Sequence, residues 1–278
     1  MKIADLYNKG KSIISFEVFP PKKDAGVDLL YSALDELAAL NPSYISVTFG
    51  AGGKTKGTNL TADIAGHIKN NLKTETLAHL TSCGATDNDI NSILQNFKEK
   101  GIENVLALRG DDASGKYKYA KDLISDIKGR GFCIGAAAYP EGHLASNNIN
   151  DDIEHMLQKE EAGAEFFITQ LFFDNNDFYG FLEKARKRGI KSPISAGVMP
   201  LLSRAQIERM IYMCGASLPS PIIKLIAKYE NDPGGLTKAG VDYMVNQLRD
   251  LVDNKVDGVH LYTVNKPFIA KTCVNNLK

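Results

Sequence analysis

Glu17 is a carboxylate set among Ile14, Phe16, Val18 and Phe19. An ionised, unpaired carboxylate in such surroundings costs several kcal/mol. Its pKa is expected to rise, which suits a general acid near neutral pH. A structural ion pair with a basic neighbour is the alternative. Other polar residues interrupt apolar runs in the same way. The run ALRGD (107–111) puts a cation, a flexible backbone and an anion in Arg109, Gly110 and Asp111. Such a cluster can bind a ligand through both signs of charge, or it can close as a strand-end salt bridge. His79 lies in HLTSC (79–83), and Tyr139 and His143 flank the turn of AAYPEGH (137–143). Gln170 breaks the apolar run of EFFITQLFFD (165–174). A buried amide needs partners, because leaving it unsatisfied costs about 1–3 kcal/mol. Either a ligand or backbone groups can supply them.

Several chemistries are not signalled. The glycine-rich VTFGAGG (47–53) is neither a dinucleotide fingerprint nor a P-loop. Cys83, Cys133, Cys214 and Cys273 lie far apart, without the close spacing of zinc or iron–sulfur ligands, so no metal is expected. No Ser-His-Asp order and no Schiff-base lysine at a strand end emerge.

The elements that must position these residues follow from periodicity. Short apolar runs read as strands near 12–19, 43–49, 75–82, 103–109, 132–139, 165–173, 193–198 and 258–264. Helical spacing appears between them, as in 28–40 and in 151–163, which stops at Gly163. Glu17, Thr48, His79, Arg109, Tyr139 and Gln170 follow one another at steps of 31, 31, 30, 30 and 31 residues. A βα unit consumes about 30 residues. Two more strands, ending near Gly197 and Tyr262, follow, the last after a gap holding about three helices. Eight such units predict a (β/α)8 barrel, with a doubly wound sheet as the alternative. The expectation is one α/β TIM-barrel domain over 1–278. Its polar residues gather at the C-terminal ends of the strands, where the active sites of barrels lie.

Composition bounds the rest. The chain has 278 residues, 33 basic and 33 acidic, with 44% hydrophobic and 24% charged. Zero net charge argues against nucleic-acid binding by bulk charge. No apolar run approaches the ~20 residues of a membrane span. The N-terminus lacks a signal-peptide pattern, so a cytoplasmic protein is expected.

Eight strings carry a resemblance: SFEVFPP (15–21), VTFGA (47–51), HLTSC, ALRGD, AAYPEGH, ITQLFFD (168–174), GVMP (197–200) and LYTVNK (261–266). At these residues, in order and over nearly the whole chain, the sequence resembles the methylenetetrahydrofolate reductases. The resemblance implies bound FAD, reduced by NADH or NADPH, and reduction of 5,10-methylenetetrahydrofolate to 5-methyltetrahydrofolate by a ping-pong route. It also implies a homo-oligomer. In some anaerobic members an iron–sulfur or flavoprotein partner subunit feeds the electrons instead. Other readings are a flavin-free barrel enzyme and a scaffold subunit without activity.

By the resemblance, Glu17 is the general acid that opens the imidazolidine ring to the 5-iminium cation. Asp111 stabilises that cation and tunes the flavin. Gln170 meets folate and nicotinamide, and Gln206, Met210 and Lys266 fall on substrate-contacting positions. Thr48, Phe49, Ala51, His79, Arg109, Gly110, Ala120, Tyr139, His143, Asp152, His155 and Lys159 fall on or near cofactor-contacting ones. Five positions depart from common members. Phe49 stands for Tyr, His155 for Asn, Gln158 for Arg, Met210 for an aromatic residue and Lys266 for Arg. Gln158 removes a charge at the flavin diphosphate. Lys266 cannot form the bidentate fork of an arginine. The chain ends soon after the eighth strand, so the expectation is a catalytic unit without the C-terminal regulatory domain of the eukaryotic members.

Overall fold

A computed structural model describes residues 1–21, 26–49, 58–110 and 115–277. Eight parallel strands form a closed barrel in sequence order, each pairing with the next and the last with the first. They are β1 (Ile13–Val18), β2 (Tyr44–Val47), β3 (Thr76–Thr81), β4 (Asn104–Leu108), β5 (Cys133–Ala138), β6 (Phe166–Thr169), β7 (Ile194–Val198) and β8 (Gly258–Tyr262). Closure of β8 on β1, with Ser15 opposite His260 and Glu17 opposite Tyr262, excludes the open doubly wound sheet.

The helices α1 (Val27–Ala38), α2 (Thr58–Asn70), α3 (Asp87–Glu99), α4 (Ala120–Ile127), α5 (Ile149–Ala162) and α6 (Asn175–Arg188) alternate with the first seven strands. Between β7 and β8 run α7 (Arg204–Cys214), α8 (Ser220–Lys228) and α9 (Pro233–Asp253), and α10 (Pro267–Asn276) follows β8. The three helices of the long gap match the sequence expectation. Local chemistry sets the starts of the helices. Thr86 and Asp89 form a capping box on α3, and the Asn148 and Asp174 side chains accept the first free N–H groups of α5 and α6.

Parallel barrel strands are covered on both faces, which explains their near-continuous apolar runs. One phase of each strand packs outward: Phe16 and Val18, Ile45 and Val47, Ala78 and Leu80, Val259 and Leu261 meet the helices in the main core. The other phase points inward and divides by height. At the N-terminal end, Ile13, Tyr44, Leu77, Leu106, Cys133, Phe166 and Ile168 form a second core with Ile3 and Leu6. These two come from a 3-10 helix, Ile3–Lys9, that plugs the barrel floor. The plug is held by Asn104, whose Oδ1 accepts from Ile3 N at 2.8 Å. Above this layer the inward residues turn polar.

β6 is shorter than the sequence reading, which extended it through residue 173. Gln170 N still donates to Ala138 O at 2.8 Å, but Leu171 N then turns to the Gln170 side chain. Phe172 leaves the barrel to stack on Phe178, ring centroids 5.3 Å apart. Among the described residues no helix is long and apolar enough to cross a membrane.

Candidate active site

The inward phase of β1 runs Ile13, Ser15, Glu17, and that of β8 runs Gly258, His260, Tyr262. Register places the two polar ladders side by side. His260 is fully buried, and its Nδ1 lies 2.7 Å from Ser15 Oγ. Its Nε2 lies 3.4 Å from Glu17 Oε2 and 3.3 Å from Ser46 Oγ of β2. Ser46 Oγ also donates to Glu17 Oε2 at 3.4 Å. On β3, His79 Nε2 lies 3.4 Å from the same carboxylate oxygen but off the hydrogen-bond direction, and this buried nitrogen has no hydrogen-bond partner. Glu17 therefore sits between two imidazoles and a hydroxyl, with 17% of its side chain exposed.

The electrostatics correct the sequence expectation. Burial pushes the Glu17 carboxyl up, but the hydrogen bond with His260 and the charges of His79 and His260 outweigh it, and the carboxyl lies below its ordinary value. Counting apolar neighbours along β1 anticipated the burial and missed the histidines. Burial holds His79 down to about 4, so it is neutral at pH 7. Burial and the Glu17 charge raise Tyr262 well above the usual phenol value. Tyr262 Oη instead donates to Thr169 O at 2.8 Å, over Gly197. A Cβ at Gly197 would lie 2.3 Å from Thr169 O and 2.9 Å from Tyr262 Oη. Glycine is what lets the tyrosine cross the barrel mouth.

The loop after β8 locks the backbone of the acid. Thr263 Oγ1 donates to Glu17 O at 2.6 Å. Asn265 holds both backbone groups of Phe19, accepting at 3.0 Å and donating at 2.8 Å. Val264 and Asn265 stand in the left-handed region at φ 52° and 55°. That conformation is uncommon for a β-branched residue and is held here by these bonds.

A cavity of about 820 Å³ opens above the cluster. Its floor includes Glu17, His79, Gln170 and Tyr262. One wall is rich in sulfur, with Met199, Met210, Met213 and Cys214. The opposite wall is basic, with Arg109, Lys121, His143, His155 and Lys159. Lys159 Nζ donates to Ala137 O at 2.9 Å and lies 5.7 Å from the Tyr139 ring centroid. Burial, then Arg109, lowers its pKa to about 8 against the pull of Asp152. Asp152 itself shapes the loop after β5, accepting from His143 N and Ser146 Oγ at 2.8 Å each. Tyr139 and His143 meet edge to face at 4.8 Å. Gly110 has φ +90°, and a Cβ there would lie 2.4 Å from Thr81 Cγ2, so the turn after β4 requires glycine.

Of the residues singled out from sequence, Glu17, His79, Arg109, Gly110, Ala120, Tyr139, His143, Asp152, His155, Lys159, Gln170 and Met210 line this one cavity. Thr48, Phe49, Gln206 and Lys266 do not. Thr48 O accepts from Thr61 Oγ1 at 3.0 Å, and Phe49 packs on the main core. Gln206 ties the turn after β7, accepting from Leu202 N and donating to Pro200 O. Lys266 is exposed at the start of α10. Ala51 and Asp111 lie outside the described residues. The sequence reading missed His260, Ser15, Ser46 and Lys121. The signal for the first three was the strand period itself: each is polar at the inward phase, one or two residues below the rim.

The residues present fit an elongated, partly aromatic anion such as a flavin dinucleotide. The basic wall suits phosphates, Tyr139 and the apolar lining residues Leu106, Ile168 and Leu171 suit rings, and the orphaned His79 Nε2 awaits a polar partner.

The sequence model for methylenetetrahydrofolate reductase matches residues 2–278. The chain is 32% identical to methylenetetrahydrofolate reductase 1 of Schizosaccharomyces pombe over 97% of its length, covering 46% of that protein. It is also 32% identical to the 5,10-methylenetetrahydrofolate reductase of Pectobacterium carotovorum, covering 97% of this chain and 91% of the relative. It thus spans about half the length of several curated relatives it matches and nearly all of the bacterial one. A Clostridium thermocellum protein, described as binding two copies of 5-methyl-5,6,7,8-tetrahydrofolic acid, shares the fold. Its TM-score is 0.68 at 16% identity, covering 100% of this chain and 98% of that one. Matched from end to end by the family's sequence model, and carrying its strings at the rim of a closed barrel, the chain belongs to the methylenetetrahydrofolate reductase family.

Proposed function

We propose that residues 1–278 form one catalytic domain that reduces 5,10-methylenetetrahydrofolate to 5-methyltetrahydrofolate. The observation that supports this reading best is the joining, in one cavity, of a buried carboxyl–imidazole cluster and a basic wall. The residues lining the cavity would hold FAD, which would supply the hydride-transfer chemistry between NADH or NADPH and the folate. Arg109 and Lys159 would hold its diphosphate, and Tyr139, His143 and Gly110 would border its rings.

His260 Nε2 lies 3.4 Å from Glu17 Oε2, within reach of a hydrogen bond to the carboxylate. Ser15 on Nδ1 orients the imidazole, and Ser46 steadies the carboxylate. A folate ring seated over Glu17 strips its remaining water, which raises its proton affinity. The carboxyl then donates to the amine nitrogen that leaves as the imidazolidine ring opens. The resulting iminium cation is stabilised by the Glu17 carboxylate and, as the resemblance implies, by Asp111. Gln170 Oε1 already accepts from Leu171 N, so its Nε2 serves as the donor to the ligand. The sulfur wall can repack against nicotinamide and pterin in turn, because thioethers adapt to aromatic faces. Turnover in the cytoplasm as a homo-oligomer is part of the same reading.

The test is the visible spectrum of the purified protein, followed by its two half-reactions. Oxidised-flavin bands, bleached anaerobically by NADH or NADPH, are expected. Bleaching only with a chemical reductant would point to a protein electron donor. In Glu17→Gln, flavin reduction should persist within about twofold. Folate reduction should fall by 10²-fold or more, the range of a lost general acid. Equal loss of both half-reactions, or a colourless protein that takes up no FAD, would overturn the proposal.

A further inference from the structure

The basic wall contains a cation that the eight strings did not signal. Lys121, in the first turn of α4, reaches across to α5 and donates from Nζ to Gln158 Oε1 at 2.9 Å. Both side chains line the cavity beside Lys159. Gln158 is neutral, so this bond leaves the Lys121 charge uncompensated. Among the described residues the hydrogen bonds of the two ammonium groups go to neutral oxygens, Lys121 to Gln158 Oε1 and Lys159 to Ala137 O. The nearby acids are engaged elsewhere. Asp122 accepts from Tyr119 N to cap α4, and Asp152 holds the loop after β5. Lys121 also sits at the positive end of the α4 macrodipole, where a cation is disfavoured unless an anion is near. Its Nζ lies 5.8 Å from the ring centroid of Tyr119, a half-exposed wall residue. The amide geometry completes the pattern. With Oε1 turned to the lysine, the Gln158 Nε2 group is left as a donor.

We infer that Lys121 and Gln158 act as one two-part clamp for the diphosphate of the flavin, Lys121 supplying from α4 the charge that position 158 lacks on α5. This rests on the FAD reading above and deepens it. It turns the glutamine from a weakened contact into the element that aims the lysine. The charge also comes from a partly exposed side chain, so flavin affinity becomes sensitive to ionic strength.

FAD and riboflavin dissociation constants of the refolded or deflavinated protein, read by fluorescence quenching, test the clamp. Lys121→Met should weaken FAD about tenfold and flatten its dependence on salt, while riboflavin, which has no phosphate, changes less than twofold. Adding Gln158→Arg to Lys121→Met should recover FAD affinity to within about threefold. Gln158→Arg alone should give no gain, because two neighbouring cations repel. Unchanged FAD affinity in Lys121→Met overturns the inference, as does an equal loss for riboflavin, which would mark a folding role. A loss confined to NADH, titrated on FAD-loaded protein, overturns the assignment to the flavin. Wild-type protein that binds no FAD would overturn the parent reading as well, and so is distinguishable from failure of the clamp alone.

Discussion

The proton inventory of the barrel mouth rests on a few side chains. His79 is buried and neutral, with a pKa near 4 against an ordinary 6.5. A base depressed in the folded state binds its proton only after unfolding. Its contribution is present above pH 6.5 and is lost as pH falls toward 4. Chemical denaturation at pH 7 and pH 5 should show a stability drop that shrinks in His79→Gln; an unchanged drop would place the pH dependence elsewhere. His260 acts in the opposite sense on its neighbour, since its hydrogen bond holds Glu17 down. In His260→Asn the carboxyl should titrate higher. A general acid must be protonated to work, so the alkaline limb of folate reduction should move to higher pH. Pre-steady-state rates across pH 6–10 would reveal this shift, and a fixed limb would mean that the imidazole does not set the acid.

At the scale of elements, α5 and β7 decide how the cavity is furnished. The α5 helix brings Asp152, His155 and Gln158, spaced by about one turn each, and Lys159 next to Gln158, to one wall. Lys159 is lowered to about 8 by burial and by Arg109. The cation that would meet a phosphate is therefore discharged as pH rises through 8. Flavin affinity should be level below pH 8 and decline above it, by up to about tenfold per unit, read by equilibrium dialysis. Lys159→Arg, which stays charged, should abolish the decline. On β7, Gly197 leaves the space that Tyr262 occupies. Gly197→Ala drives a methyl group toward the Thr169 carbonyl, and overpacking of this kind costs about 1–3 kcal/mol. Thermal melting should show the loss, together with weakened folate binding as Tyr262 shifts.

The whole molecule separates stability from chemistry along the barrel axis. The N-terminal half of the interior is an apolar core closed by the 3-10 helix, and the C-terminal half is polar and open. Ile3 is fully buried in that plug. Ile3→Ala should cost about 2–5 kcal/mol of unfolding free energy, the usual range for such a truncation. Flavin affinity per folded molecule should be unchanged, because the residue lies at the far end of the barrel. A parallel fall in affinity would show that the two halves are coupled.

The strand runs, their near-30-residue period and the three helices before β8 were legible in the sequence, because periodicity and turn chemistry are local. The polar residue at each rim was legible for the same reason. Glu17, His79, Arg109, Tyr139 and Gln170 interrupt apolar runs that leave few other roles for them. Closure was not local, since only the pairing of β8 with β1 brings His260 and Ser15 beside Glu17 across more than two hundred residues of chain. That juxtaposition reversed the direction of the Glu17 pKa, because a carboxyl's proton affinity depends on the charges around it in space as well as on its burial. The Lys121–Gln158 contact belongs to the same class. The sequence by itself determined which side chains reach the mouth of a barrel; tertiary structure alone decided which of them touch, and electrostatics follows contact rather than chain order.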